Sequence, residues 1–306
     1  MLFNSPVKHT YFSKKKYFYH YIRSYECLSL NFCYIRPVHY VAAALSTRWP
    51  FYISICLALS ISYFLVSLQV SDLLHTACLI TLLGVLYYAF CWFSDMIIDS
   101  TILGMYNKKI RQSISYGFML FLFSEIFCFI SFFWGYFDRL FDPSVYAGGS
   151  TLPYGLEPLF KNIKPLYGTA ILILSGYFAN WAAYFTHSGE WSLHIVFADL
   201  AILTGSLFLG IQVAEYLNLL FTLADSIYGS LFYLLTGFHG IHVIIGLLFL
   251  ITQSHRMLHC HTNRDAFQGY RLALIYWHFV DYIWVFLFVS IYVINWNYQY
   301  YFSWNF

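Results

Sequence analysis

Glu125, Glu215, His239, His242, His278 and Asp281 are the residues of this chain best placed to do chemistry, because they lie inside apolar stretches that hold no Lys or Arg. An ionised carboxylate at the centre of a lipid-embedded helix costs roughly 2.5–3.5 kcal/mol even on lenient transfer scales. No Lys or Arg falls in any apolar stretch to neutralise Glu125. It should therefore be protonated much of the time, or face a hydrated or polar interface. It reads either as a proton-active, carbodiimide-reactive carboxyl or as a neutral carboxyl bonded to a neighbouring helix. His239 and His242 are three residues apart and share one helix face. They could ligate haem or a metal, with His278 completing the site. The alternative is hydrogen bonding between helices, since bis-histidine ligation needs imidazoles on opposite faces of the porphyrin. Asp281 follows His278 by three, and a contact between them is the simplest way to satisfy both. Glu215 lies near the end of its stretch, where it can reach interfacial water.

The elements that must hold these groups are helices. Hydrocarbon offers backbone amides no partners, so a spanning segment is a helix or part of a closed barrel, and a helix needs about 20 apolar residues to cross. Seven stretches qualify, at 50–68, 73–93, 114–137, 166–186, 195–216, 229–253 and 273–294. Runs such as 117–133 show no alternation of polar and apolar residues, which argues against barrel strands. With 60% hydrophobic and 10% charged residues in 306, a soluble core is excluded. All 16 Lys and Arg lie outside the stretches. With the N-terminus inside, only Arg139, Lys161 and Lys164 face outward, as the positive-inside rule requires.

The organisation expected is a basic arm at 1–36, a two-helix bundle at 37–93, an inner linker at 94–113, a five-helix bundle at 114–296 and an aromatic tail at 297–306. The acid-poor arm has the composition of a mitochondrial transit peptide, but is expected to be retained on the inner face, bound to lipid phosphates or a neighbouring subunit or simply solvated. An ordered outer loop is expected at 138–165, where Pro143, Pro153, Pro158 and Pro165 alternate with Gly148, Gly149 and Gly155. Cys27, Cys33, Cys56, Cys78, Cys91, Cys128 and Cys260 form no CxxC pair and are expected to be small buried residues. GxxxxGK, GxGxxG and HExxH are absent, so the sequence makes no case for nucleotide hydrolysis or zinc proteolysis.

Several motifs carry a resemblance. Gln212-Val-Ala-Glu215-Tyr216, Asp225-Ser-Ile-Tyr228-Gly229-Ser230, Thr236-Gly-Phe-His239-Gly-Ile-His242-Val-Ile-Ile-Gly246 and Tyr276-Trp-His278-Phe-Val-Asp281-Tyr-Ile-Trp284 resemble the C-terminal half of subunit III of the haem-copper oxidases. Tyr116-Gly117, Ser124-Glu125 and Phe132-Phe133-Trp134 resemble its third helix, and Asp95 with Asp99-Ser100-Thr101 the end of its second. The likeness runs collinearly over about residues 37–296.

It implies an all-α membrane protein of seven transmembrane helices, two plus five around a lipid-filled V-shaped cleft. It implies no metal and no redox centre in this chain, with haem a and copper carried by partner subunits I and II and phospholipids bound here. Glu125 would be the carbodiimide-reactive carboxyl facing the cleft. Asp99, Ser100, Arg256 and His261 would bind lipid head groups. The partners implied are subunits I and II, accessory subunits and phospholipids, cardiolipin among the candidates, with no nucleic acid. The subunit would pack on subunit I, keep proton uptake rapid and protect the metal centre. Its place would be the mitochondrial inner membrane, N-terminus in the matrix and C-terminus in the intermembrane space. Departures from the family pattern are Ser94 and Ile98 in place of arginines, and Met105, Tyr106, Asp138, Ala183 and Tyr184 where histidines are usual. They put individual lipid contacts and any histidine proton antenna in doubt. A quinol oxidase subunit III is the rival within the family, and a proton-coupled transporter the rival outside it.

Overall fold

A computed structural model describes residues 47–67, 72–101, 104, 106–142, 164–259, 261 and 267–294. The basic arm, the aromatic tail, nearly all of the outer loop, and Cys27, Cys33 and Cys260 lie outside the described residues. Among the described residues seven helices follow one another: α1 (Trp49–Ser67), α2 (Asp72–Thr101), α3 (Lys108–Phe141), α4 (Lys164–Ser188), α5 (Trp191–Asn218), α6 (Ile227–Leu258) and α7 (Gln268–Leu287), the last continuing as a π-helical segment, Phe288–Ile294. No strand occurs among the described residues. The chain divides into two compact units, residues 1–106 and 107–306.

In the first unit, α1 and α2 pack together. The indole N–H of Trp49 donates to Asp95 Oδ2 at 2.6 Å, joining the start of α1 to the distal part of α2, so the two helices run antiparallel. Phe51, Leu65, Leu83 and Phe90 stay exposed, as expected of side chains whose solvent is lipid.

The second unit is built around α7. Its five bulkiest fully buried side chains, Trp277, Trp284, Tyr270, Tyr276 and Tyr292, all come from α7 and its π-helical continuation. Each indole N–H finds an acceptor on α4: Trp277 donates to Ser175 Oγ at 3.0 Å and Trp284 to Thr169 Oγ1 at 3.1 Å. Tyr270 donates to the Ala179 carbonyl at 3.0 Å. Buried aromatic N–H and O–H groups usually find such partners. The Trp277 ring fits between Gly205 of α5 and Gly246 of α6; a Cβ at either glycine would stand 2.8 Å from its ring atoms. Small residues at membrane helix contacts permit this close approach.

Helix ends follow local chemistry rather than the limits of apolarity. Asn107 Oδ1 accepts from the Ile110 amide at 2.9 Å and caps α3; Ser226 Oγ accepts from the Gly229 amide at 3.0 Å and caps α6. Lys108, Lys109 and Arg111 occupy the first turn of α3, where the helix dipole disfavours cations. Gly189, at φ 85°, turns the chain between α4 and α5.

Six of the seven helices are both long and apolar enough to cross a membrane; α4 is the exception. At 25 residues it extends about 37 Å, so length is not its limit. Gly168, Ser175, Gly176, Tyr177 and Asn180 lower its apolarity, and Gly168, Ser175 and Gly176 are buried within the unit.

Candidate functional site: a buried carboxyl and its imidazole

Glu125 of α3 meets His242 of α6, with Oε2 and Nε2 3.0 Å apart. The side chains are 22% and 6% exposed, respectively. The partner missing from the list of Lys and Arg is thus a histidine. His242 Nδ1 lies 2.8 Å from the carbonyl of Phe238, one turn back, and donates to it. With that proton committed, a neutral His242 presents a bare lone pair at Nε2. One proton between Nε2 and Oε2 would satisfy both atoms, as carboxylic acid to imidazole or as carboxylate to imidazolium. Both forms have zero net charge, which lets a carboxyl reside in an apolar helix without a cationic Lys or Arg. Phe238, Phe129 and Tyr276 surround the imidazole, at ring-centroid distances of 4.6, 5.2 and 6.3 Å.

His239 shares the helix but not the neighbours. It is fully buried, donates through Nε2 to the Val280 carbonyl of α7 at 3.3 Å, and packs against Trp284 and Phe208. The two histidines thus serve different helices, and aromatic side chains occupy the space a porphyrin would need beside them. No group of three or more His, Cys, Asp or Glu among the described residues is placed to hold a metal ion.

His278 and Asp281 form a second pair. His278 Nδ1 is 3.3 Å from Asp281 Oδ2, and His278 Nε2 donates to Asn180 Oδ1 of α4 at 3.0 Å. With Nε2–H spent on Asn180, one proton between Nδ1 and Oδ2 would satisfy this pair in the same way. Gly176 makes the space, since a Cβ there would lie 2.6 Å from Asp281 Oδ2. Asn180 had no signal in the sequence, because its role depends on the register of α4 against α7. Asp199, which accepts from Ser254 Oγ at 3.2 Å, was also missed.

Glu215 is turned inward, 8% exposed, rather than out to interfacial water. Its carboxyl and the Gln212 side chain both lie near the buried hydroxyl of Tyr292. In the first unit, Ser100 Oγ donates to its own helix at Ile97 and Asp99 stands near Asp95. In the second, Arg256 Nη1 donates to Gln253 at 3.3 Å, and among the described residues no acid pairs with it. His261 lies just beyond α6, its amide bonded to the Arg256 carbonyl at 3.0 Å.

The sequence that carries these residues is similar to known proteins. The family described as Cytochrome c oxidase subunit III matches residues 36–298, which includes every residue discussed in this subsection. The chain belongs to the cytochrome c oxidase subunit III family. A protein of Arabidopsis thaliana named Cytochrome c oxidase subunit 3 is 41% identical over 211 residues, covering 69% of this chain and 80% of its own length. Proteins of the same name from Allomyces macrogynus and Cyprinus carpio are 42% and 40% identical over 201 and 222 residues, covering 73% and 84% of their own lengths. These names favour the cytochrome c branch over the quinol branch. Membership makes the chain a membrane protein, in keeping with its six long apolar helices.

Proposed function

We propose that this chain is the non-catalytic core subunit III of a terminal oxidase that passes electrons from cytochrome c to oxygen and pumps protons. In that role it stabilises subunit I, holds structural phospholipids and supports proton uptake. The observation that carries the reading is the collinear family match across residues 36–298. Haem a and copper belong to the partner subunits. The place is the mitochondrial inner membrane, crossed seven times with α4 counted, the 1–36 arm in the matrix and the 297–306 tail in the intermembrane space.

Glu125 is the carbodiimide-reactive group in this reading, because carbodiimides activate protonated carboxyls and one of the two forms of the Glu125–His242 pair is such an acid. The pair can pass its proton between Oε2 and Nε2 without placing net charge in the bilayer. Glu215, His239, His278 and Asp281 have structural roles.

Asp99 and Ser100 in the first unit, and Arg256 and His261 in the second, are the head-group ligands proposed. Arg256 offers phosphate a planar fork of donors. Burial holds the His261 imidazole below its ordinary value of about 6.5, helped by the positive charge of Arg256 and by His259 and His255. The ring is therefore neutral near pH 7. It gains charge only at more acidic pH, where protonation weakens the fold's preference for the neutral ring but strengthens attraction to phosphate. Retention of anionic lipid should be flat from about pH 8 to 7 and rise only on acidification below the ordinary imidazole range. The rise should be absent in His261→Gln, as lipid analysis of the purified protein at each pH would show.

The reading is tested by isolating the chain from native membranes in mild detergent and recording reduced-minus-oxidised spectra and oxygen uptake. Haem a bands and oxidation of cytochrome c are expected in the isolated complex. Quinol oxidation alone, or a cofactor-free chain without oxidase partners, would overturn it.

A further inference from the structure

The C-terminal end of α6 carries a feature that the carboxyl–imidazole pairs do not use. His255 and His259 are four residues apart, and therefore on one face of the helix. Their ring centroids are 4.4 Å apart and their Nε2 atoms 3.2 Å apart. Both side chains are exposed. A zinc ion binds imidazole nitrogen at about 2.0–2.1 Å. Two such nitrogens on one tetrahedral ion are then about 3.3 Å apart, close to the separation these rings already hold.

We propose that His255 and His259 chelate a divalent late first-row transition ion through their Nε2 atoms. Imidazole nitrogen suits zinc, copper and nickel, whereas magnesium and calcium prefer oxygen, so the donors define the class of ion. Arg256 does not oppose it directly: it lies about 100° round the helix from His255, and its guanidinium is engaged with Gln253. No third His, Cys, Asp or Glu among the described residues completes a protein cage. Water fills the remaining positions, which makes this an exchangeable site rather than a structural one.

The test uses the full-length chain in phosphatidylcholine nanodiscs, titrated with zinc chloride. One zinc per chain is expected to bind in a step that His255→Gln and His259→Gln each weaken at least tenfold. Both side chains are exposed, so the variants should keep the fold, which circular dichroism would verify. With Cu²⁺ as a second probe, electron paramagnetic resonance should show coupling to two nitrogens, reduced to one or none in either variant. Zinc uptake equal in the wild type and the double variant would overturn the proposal, as would a copper spectrum without the two-nitrogen coupling.

Discussion

Replacing His242 with alanine should destabilise the second unit by about 3 kcal/mol, whereas Glu125→Gln should cost about 1 kcal/mol or less. The asymmetry follows from what each change leaves behind. Without His242, the Glu125 carboxyl remains in an apolar helix with no shared proton and no partner 3.0 Å away. Removing one member of a buried ion pair costs about 3–5 kcal/mol, and the 22% exposure of the Glu125 side chain puts this case at the low end. Glu125→Gln leaves a neutral amide facing an imidazole whose other nitrogen is still bonded to the Phe238 carbonyl. The double variant should therefore recover much of the loss, giving a coupling energy of roughly 2 kcal/mol in a double-mutant cycle. Unfolding of the bilayer-reconstituted chain by denaturing detergent would measure all four corners. Additive effects, with Glu125→Gln as damaging as His242→Ala, would mean that the pair does not act as a one-proton unit.

Valine at Gly246 should be at least as severe, about 3 kcal/mol or more, because a new side chain would have to enter the plane of Trp277. A Cβ there already stands 2.8 and 3.0 Å from two ring carbons. The ring cannot swing aside without losing its bond to Ser175, and Gly205 on its other side leaves no room for even a Cβ. Gly210→Ala is the matched control: nothing lies within 4 Å of its Cβ position, and alanine is favoured over glycine in a helix by about 1 kcal/mol. Gly246→Val should fail to accumulate in membranes while Gly210→Ala accumulates normally. Shrinking the wedge with Trp277→Leu should partly rescue Gly246→Val. Normal accumulation of Gly246→Val would show that the glycine is not a packing requirement.

What the sequence made legible follows from what lipid selects. Long apolar runs placed the helices, because every spanning backbone must satisfy itself. Contacts within one turn, such as His278 with Asp281, could be read from spacing. Helix ends were less legible: α2 continues to Thr101, beyond the apolar limit at Phe93, and Trp49 shelters Asp95 on the way. The encounter of Glu125 with His242, 117 residues away, was not legible. In a soluble protein the polar face of a helix marks its outside, but here lipid-facing and core-facing residues are both apolar, so no stripe discloses which side of α3 turns toward α6. The seat of Trp277 between Gly205 and Gly246 was hidden for a similar reason, since the effect of a small residue is spatial. Glu215 is buried, as expected of it, but nearness to a helix end said nothing about which way its carboxyl turns.

The deep placement of α7 has a consequence for biogenesis. Synthesis runs from α1 to α7, so the helix that fills the centre of the second unit is the last of the described helices to leave the ribosome. Until it arrives, Ser175 and Thr169 lack the indoles they accept from, His239 lacks the Val280 carbonyl, and Gly205 and Gly246 face a slot without its Trp277. The nascent chain through α6 is a set of helices awaiting their centre. A stop codon ahead of α7 should thus be as damaging as one near the start, and factors that guard unfinished membrane chains should engage this protein up to the end of its translation.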